Sequence, residues 1–166
     1  MCRRAMSPAA VPAPVSAASA KIACRAIRAF GGVGVFGVEL FWMPDGRVVV
    51  NEIAPRVHNS GHVTMNACAT GQFEQHWRAI LGLPLGDTRL IAPAAAMVNI
   101  IGRRKTKLTP GMAPMPDGSF TPRAWVHWYN KSGPAYERKI GHVNALADTP
   151  KKAIALAMRV RDRVRI

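Results

Sequence analysis

The stretch G37-V-E-L-F-W-M-P-D-G-R-V-V-V-N-E-I-A-P-R-V-H-N-S-G-H62 decides the reading of this chain. Residues 33–42 are rich in Val, Phe and Trp and read as a strand, and 47–54 read as its return. Between them Pro44 presets a backbone angle and Asp45-Gly46 suits a tight hairpin. A two-residue loop at Asp45 and Gly46 sets Glu39 directly opposite Glu52, with Cβ atoms roughly 5 Å apart. A longer loop starting at Met43 would make the two acids diagonal instead. Val38, Leu40 and Trp42 alternate onto the other face, so the acids share a face of their own.

Like charges facing each other destabilise a hairpin unless something cationic lies between them. Two hard oxygen ligands at this spacing suit Mg²⁺, which takes one or two carboxylates and completes its shell with water and phosphate oxygens. The alternative is that the acids face solvent or an arginine such as Arg47 or Arg56. Asn51 raises a question of parity, because a regular strand points it away from Glu52. Either Asn51 is structural or the strand bulges there and turns both residues inward. Beyond the hairpin, Arg56, His58, Asn59, Ser60 and His62, with Gly61 permitting close backbone approach, form a cradle for phosphate or carboxylate.

Working outward, an Ala-rich helix capped by Ser16 is expected to about Phe30, with 1–15 as a linker or poorly ordered start. That opening, free of acid and carrying Arg and Ser, also has the composition of an organelle transit peptide. Residues 63–82 have helical spacing, with Phe73, Trp77, Ile80 and Leu81 on one stripe. P93-A-A-A-M-V-N-I-I-G102 reads as a buried strand, 103–122 as a basic Pro- and Gly-rich loop, and 124–129 and 139–145 as short strands. Thr149-Pro150 opens a basic amphipathic helix to the end.

The 166 residues carry 23 Lys and Arg against nine Asp and Glu, formally +14, with no acid before Glu39. Such a balance favours anionic partners without choosing among nucleotides, sugar phosphates, nucleic acid and membrane surface. No apolar run approaches the length of a membrane span. Three scattered cysteines offer neither a disulfide framework nor a zinc site. A cytoplasmic location is the default expectation.

Extended through M65-N-A-C-A-T-G-Q-F-E-Q-H-W-R-A-I-L-G-L-P-L-G-D-T88 and A94-A-A-M-V-N-I-I-G102, the opening stretch closely resembles the carboxy-terminal half of 5-(carboxyamino)imidazole ribonucleotide synthetase, an ATP-grasp ligase of purine biosynthesis. The resemblance starts near Ala13 and runs to the end, and it absorbs most of the transit-like opening into a helix. It implies an α+β fold: the carboxy-terminal part of an ATP-grasp lobe, an antiparallel sheet with helices, over 16–92, and a small β-rich domain over 93–166. It further implies ATP and Mg²⁺ as cofactors, bicarbonate and aminoimidazole ribonucleotide as substrates, a carboxyphosphate intermediate, and a homodimer for the full-length family.

By that resemblance Glu39 and Glu52 are the magnesium ligands, and Asn51 and Glu52 belong to the nucleotide site. Arg56 and His58 face the ribonucleotide and the carboxyphosphate, stabilising charge and positioning rather than attacking. Y129-N-K-S-G-P-A-Y-E-R-K-I-G-H142 resembles a further family segment, in which Lys131 and Arg138 hold the ribonucleotide phosphate and Lys139 and His142 are structural. Two departures stand out: Val57 replaces a usual proline, and Gly71 is expected to weaken its helix by up to about 1 kcal/mol. The family enzyme is longer, and this chain lacks the counterpart of its amino-terminal domain and ATP-covering lobe. Two other readings stay open: a noncatalytic module binding anions or nucleic acid through its basic surface, and an inactive remnant.

Overall fold

The structure is a computed structural model, and it describes residues 2–102 and 123–164, with Lys107 and Leu108 as backbone. The loop expected over 103–122, with its basic run at 103–107, therefore lies outside the described residues except for Lys107 and Leu108. The chain is α+β, built on antiparallel sheets and, among the described residues, four α-helices. In order these are β1 (Arg4–Ser7), α1 (Ala13–Phe30), β2 (Gly37–Trp42), β3 (Val48–Ala54), a 3-10 turn (Asn59–Val63), α2 (Thr64–Ala67), α3 (Gln72–Ile80), β4 (Ala94–Ile101), β5 (Lys107–Leu108), β6 (Ala124–Trp128), β7 (Gly133–Pro134), β8 (Lys139–Ala147) and α4 (Pro150–Arg163). Among the described residues no helix is long and apolar enough to cross a membrane.

The largest sheet has the order β1-β4-β8-β6, all neighbours antiparallel. Its two faces follow from the period of two along each strand. Val98 and Ile100 of β4 and Val143 and Ala145 of β8 point to one side, where Ala157 and partly buried Leu156, Met158 and Val160 of α4 cover them. Pro150 starts that helix, and Thr149 caps it by accepting a hydrogen bond from the Lys152 amide, as the sequence indicates. Ala95, Met97 and Leu146 point to the other side and pack on Val63 and Ala67. This second face also carries Asn99, His142 and Asn144, each 2% exposed or less.

Close sheet packing fixes one glycine here. A Cβ on Gly141 would stand 2.6 Å from the His127 carbonyl oxygen and 3.3 Å from the Ile100 side chain. We expect Gly141→Ala to destabilise the chain by about 1–3 kcal/mol, because the obstruction is backbone that cannot rotate away. Urea unfolding of the variant measures this, and an unchanged midpoint would contradict the packing.

Three local expectations are corrected. Residues 4–7, read as part of a linker, form β1 and pair with β4 from Arg4 opposite Val98 to Ser7 opposite Ala95. Helix α1 begins at Ala13 after Pro12, so Ser16 lies inside its first turn and is no cap. The helical pattern over 63–82 breaks into α2 and α3, with Gly71 as the residue before α3 in extended backbone. Glycine is well tolerated at such a cap, so the helix-interior penalty does not apply. A Cβ there would also press on the Thr64 carbonyl oxygen at 3.1 Å.

Candidate functional site

The hairpin places Glu39 opposite Glu52, by a route different from a two-residue turn. Met43 and Arg47 close a loop of Pro44, Asp45 and Gly46, with the Met43 amide donating to the Arg47 carbonyl at 2.8 Å. Asp45 caps that loop through the Arg47 amide and guanidinium, which hold its carboxyl below the usual range. The three-residue loop pairs Trp42 with Val48 and Leu40 with Val50, one residue out of the two-residue register. A bulge between Glu39 and Leu40 then absorbs Asn51 and restores the acid pair.

That bulge resolves the parity of Asn51. Its amide donates to Glu39 Oε2 at 3.2 Å, so Asn51 and Glu39 share a side of the hairpin. On the other oxygen, His58 Nε2 lies 3.4 Å from Glu39 Oε1. Glu39, Asn51 and Glu52 are all exposed, so their polar groups remain hydrated and open to a ligand. No three His, Cys, Asp or Glu side chains cluster to hold a metal among the described residues. Two facing carboxylates with an amide beside them fit Mg²⁺ sharing its shell with phosphate and water, and do not fit a fully protein-ligated ion.

His58 leads the 3-10 turn. Its Nδ1 lies 2.8 Å from Ser60 Oγ, and its ring seats against bare backbone, since a Cβ on Gly37 would stand 2.6 Å from the His58 Cβ. Arg56 is exposed and donates to the Val57 carbonyl at 3.1 Å. Asn59 ties this loop to the large sheet. Its amide donates to Asn99 Oδ1 and Tyr129 Oη, and its Oδ1 accepts from Asn99 Nδ2 at 2.7 Å and Lys139 Nζ at 3.0 Å.

The far side of the site comes from the connection between β6 and β8. Lys131 holds its ammonium 5.4 Å above the Tyr129 ring, a cation–π contact. Arg138 donates to the carbonyls of Ser132 and Pro134, bracing the turn at Gly133. Tyr129 thus links Lys131 to Asn59, and Asn59 adjoins His58.

Beneath the loop lies a column of rings. Phe73 stacks on His62 at 5.5 Å between centroids, His62 on His142 at 5.1 Å, and His142 on His127 at 4.5 Å. The last pair follows from register, because His127 sits directly opposite His142. Burial first, then the neighbouring His127 and His62, pushes His142 down to about 3. Burial likewise lowers His127 and, with the charges of His127, His58 and Lys139, lowers His62. Burial raises the Tyr129 phenol against the opposing Asn59 bond.

The structure therefore brings Glu39, Glu52, Asn51 and His58 together and joins Lys131 to them through Tyr129 and Asn59. Among the described residues it shows no direct contact of Arg56 or Arg138 with that group. The sequence reading passes over Gln72, Asn99 and Tyr129, which hold the loop. A lone Asn99 in an otherwise apolar buried strand is the signal that could have found one of them.

With that geometry in view, likenesses to known proteins converge. Residues 1–73 match the ATP-grasp domain, and residues 95–156 match the phosphoribosylaminoimidazole carboxylase C-terminal domain. The N5-carboxyaminoimidazole ribonucleotide synthase of Synechococcus elongatus is 44% identical over 86% of this chain and 36% of its own length. The chain is a relative of the carboxy-terminal part of these synthases. The Thermotoga maritima synthetase matches with a TM-score of 0.85 and 38% identity over 95% of this chain and 44% of that one. An Aspergillus clavatus synthase, solved in complex with ADP and aminoimidazole ribonucleotide, matches at 0.80 and 34% identity over 99% of this chain and 44% of that one. The chain spans about a third of that cyanobacterial relative and somewhat under half of the solved structures. These relatives are ATP-grasp ligases of purine biosynthesis.

Proposed function

We propose that this chain contributes the carboxy-terminal part of the ATP- and Mg²⁺-dependent site that carboxylates aminoimidazole ribonucleotide with bicarbonate. The observation that carries the proposal is the bulged hairpin, which sets Glu39 against Glu52 and adds the amide of Asn51. Residues 16–92 end the ATP-grasp domain in this reading, and 93–166 form the small domain behind it. Bicarbonate oxygen attacks the γ-phosphorus of ATP and ADP leaves. The substrate amine then attacks the carboxyl carbon of the carboxyphosphate, losing a proton as phosphate departs.

The residues here bind and orient rather than form covalent bonds. Glu39 and Glu52 would hold Mg²⁺, whose charge offsets that of the phosphates. Asn51 and Glu52 face the nucleotide. Arg56 and His58 stabilise the carboxyphosphate and position the ribonucleotide, and Lys131 and Arg138 take its phosphate. Pairing as a homodimer belongs to the same reading.

Calorimetric titration with Mg²⁺-ATP, on this chain mixed with the amino-terminal portion of the Thermotoga maritima synthetase, tests the assignment. Glu52→Gln is expected to weaken binding at least about tenfold, the loss of one charge-assisted contact. An affinity equal to that of the unsubstituted chain would sink it.

A further inference from the structure

We propose that Gln72 is the positioning residue for His58, holding its main chain from both sides and setting the tautomer of His62 behind it. The inference rests on the reading of His58 as a ribonucleotide contact. Gln72 is 7% exposed at the start of α3, yet its amide points out of the helix into the loop. Its Oε1 accepts from the His58 amide at 3.0 Å, and its Nε2 donates to the His58 carbonyl at 3.0 Å. A side-chain amide thereby makes the paired bonds that a neighbouring strand would make. His58 needs such a partner because it lies beyond the end of β3 at Ala54, outside the ladder.

The second Nε2 proton goes to His62. Its Nδ1 lies 2.7 Å from Gln72 Nε2, and since the amide nitrogen donates, Nδ1 accepts and the ring proton sits on Nε2. Turning the amide over would set a donor against the His58 amide and an acceptor against the His58 carbonyl, so one orientation alone satisfies all three partners. The helix start is itself anchored: the Gln72 amide donates to Thr64 Oγ1 at 2.9 Å, and Thr64 Oγ1 donates to the Gly61 carbonyl at 2.6 Å. Gly61 leaves room for this arrangement, since a Cβ would run into Gln72 Oε1 and push the side chain away. The adjacent Phe73 stacks on His62, so two successive residues of α3 hold that ring in plane and from one face.

A purely structural glutamine would affect stability and little else. A positioning residue leaves marks at His58 and His62. In Gln72→Met the His58 amide should exchange with solvent at least about tenfold faster, while Val98 and Val143 amides in the sheet keep their rates. Affinity for aminoimidazole ribonucleotide should fall by a similar factor. In Gln72→Glu the new carboxylate oxygen faces His62 Nδ1, so His62 should titrate at a higher pH than in the unsubstituted chain.

Nuclear magnetic resonance of the whole chain reads the exchange rates and the histidine titrations, and calorimetry reads the affinity. Unchanged His58 exchange in Gln72→Met overturns the proposal. If that variant fails to fold, an unmoved His62 titration in Gln72→Glu overturns it equally. Should the unsubstituted chain bind no ribonucleotide, the role of His58 in ligand binding fails, while the exchange and titration data still decide whether Gln72 positions it.

Discussion

Acidification is expected to begin destabilising this chain above the pH at which most carboxylates titrate, with His142 as the main cause. Its ring is 1% exposed and pushed from 6.5 down to about 3 by burial and by its two histidine neighbours. The unfolded chain therefore takes up a proton below 6.5 that the folded chain refuses. Stability is intact above that value and declines as pH falls toward the folded value. The loss from His142 reaches roughly 2–3 kcal/mol by about pH 4.5.

His62 and His127 are lowered as well and add to the same slope. Carboxylates add little to it, since the chain has only nine and, among the described residues, none of the ion pairs between carboxylates and Lys or Arg is deeply buried. Urea unfolding at a series of pH values measures the slope, and His142→Gln should flatten it while keeping an acceptor for Tyr129. The same slope in that variant would show that the acid sensitivity lies elsewhere.

The acid pair was legible in the sequence because hairpin alternation depends on local spacing alone. Its path was not. A one-residue error in the loop and the one-residue bulge at Asn51 cancel at Glu39 and Glu52, while Phe41 still meets Val49. Only the odd parity of Asn51 hinted at the bulge, and the Asn51–Glu39 bond is its physical trace. The buried strand at 94–101 and the capped α4 were readable for similar reasons, since a continuous apolar run and a Thr-Pro pair act within a few residues.

Contacts distant in sequence were not readable. β1 is a short polar-edged segment whose only reason to be a strand is its partner, some ninety residues on. Lys139 and His142, set aside as structural, sit one on Asn59 and one within the ring column. Their side-chain partners come from the 3-10 turn, from β6 and from Tyr129 just after it, and no local period records such a meeting. Gln72 falls in the same class: a glutamine at a helix start looks like solvent-facing surface until the His58 loop is folded over it.

Asn59→Leu is expected to cost on the order of 3 kcal/mol, because the pair it breaks is reciprocal and its other member is buried. Asn59 and Asn99 exchange bonds at 3.1 and 2.7 Å, and Asn99 is 2% exposed. Removing Asn59 leaves the Asn99 oxygen without its donor, and takes bonds from Lys139 and Tyr129 at the same time. Asn99 Nδ2 keeps the Cys2 carbonyl at 3.1 Å, so half of its amide stays satisfied. A clamp of this kind predicts strong non-additivity. Asn99→Leu in the Asn59→Leu background should cost little more, since two apolar groups then face each other in place of one stranded amide. A double-mutant cycle by urea unfolding should give a coupling of about 1–3 kcal/mol. Additive losses would mean that the two amides act separately, and that the His58 loop is held to the sheet by Lys139 and Tyr129 instead.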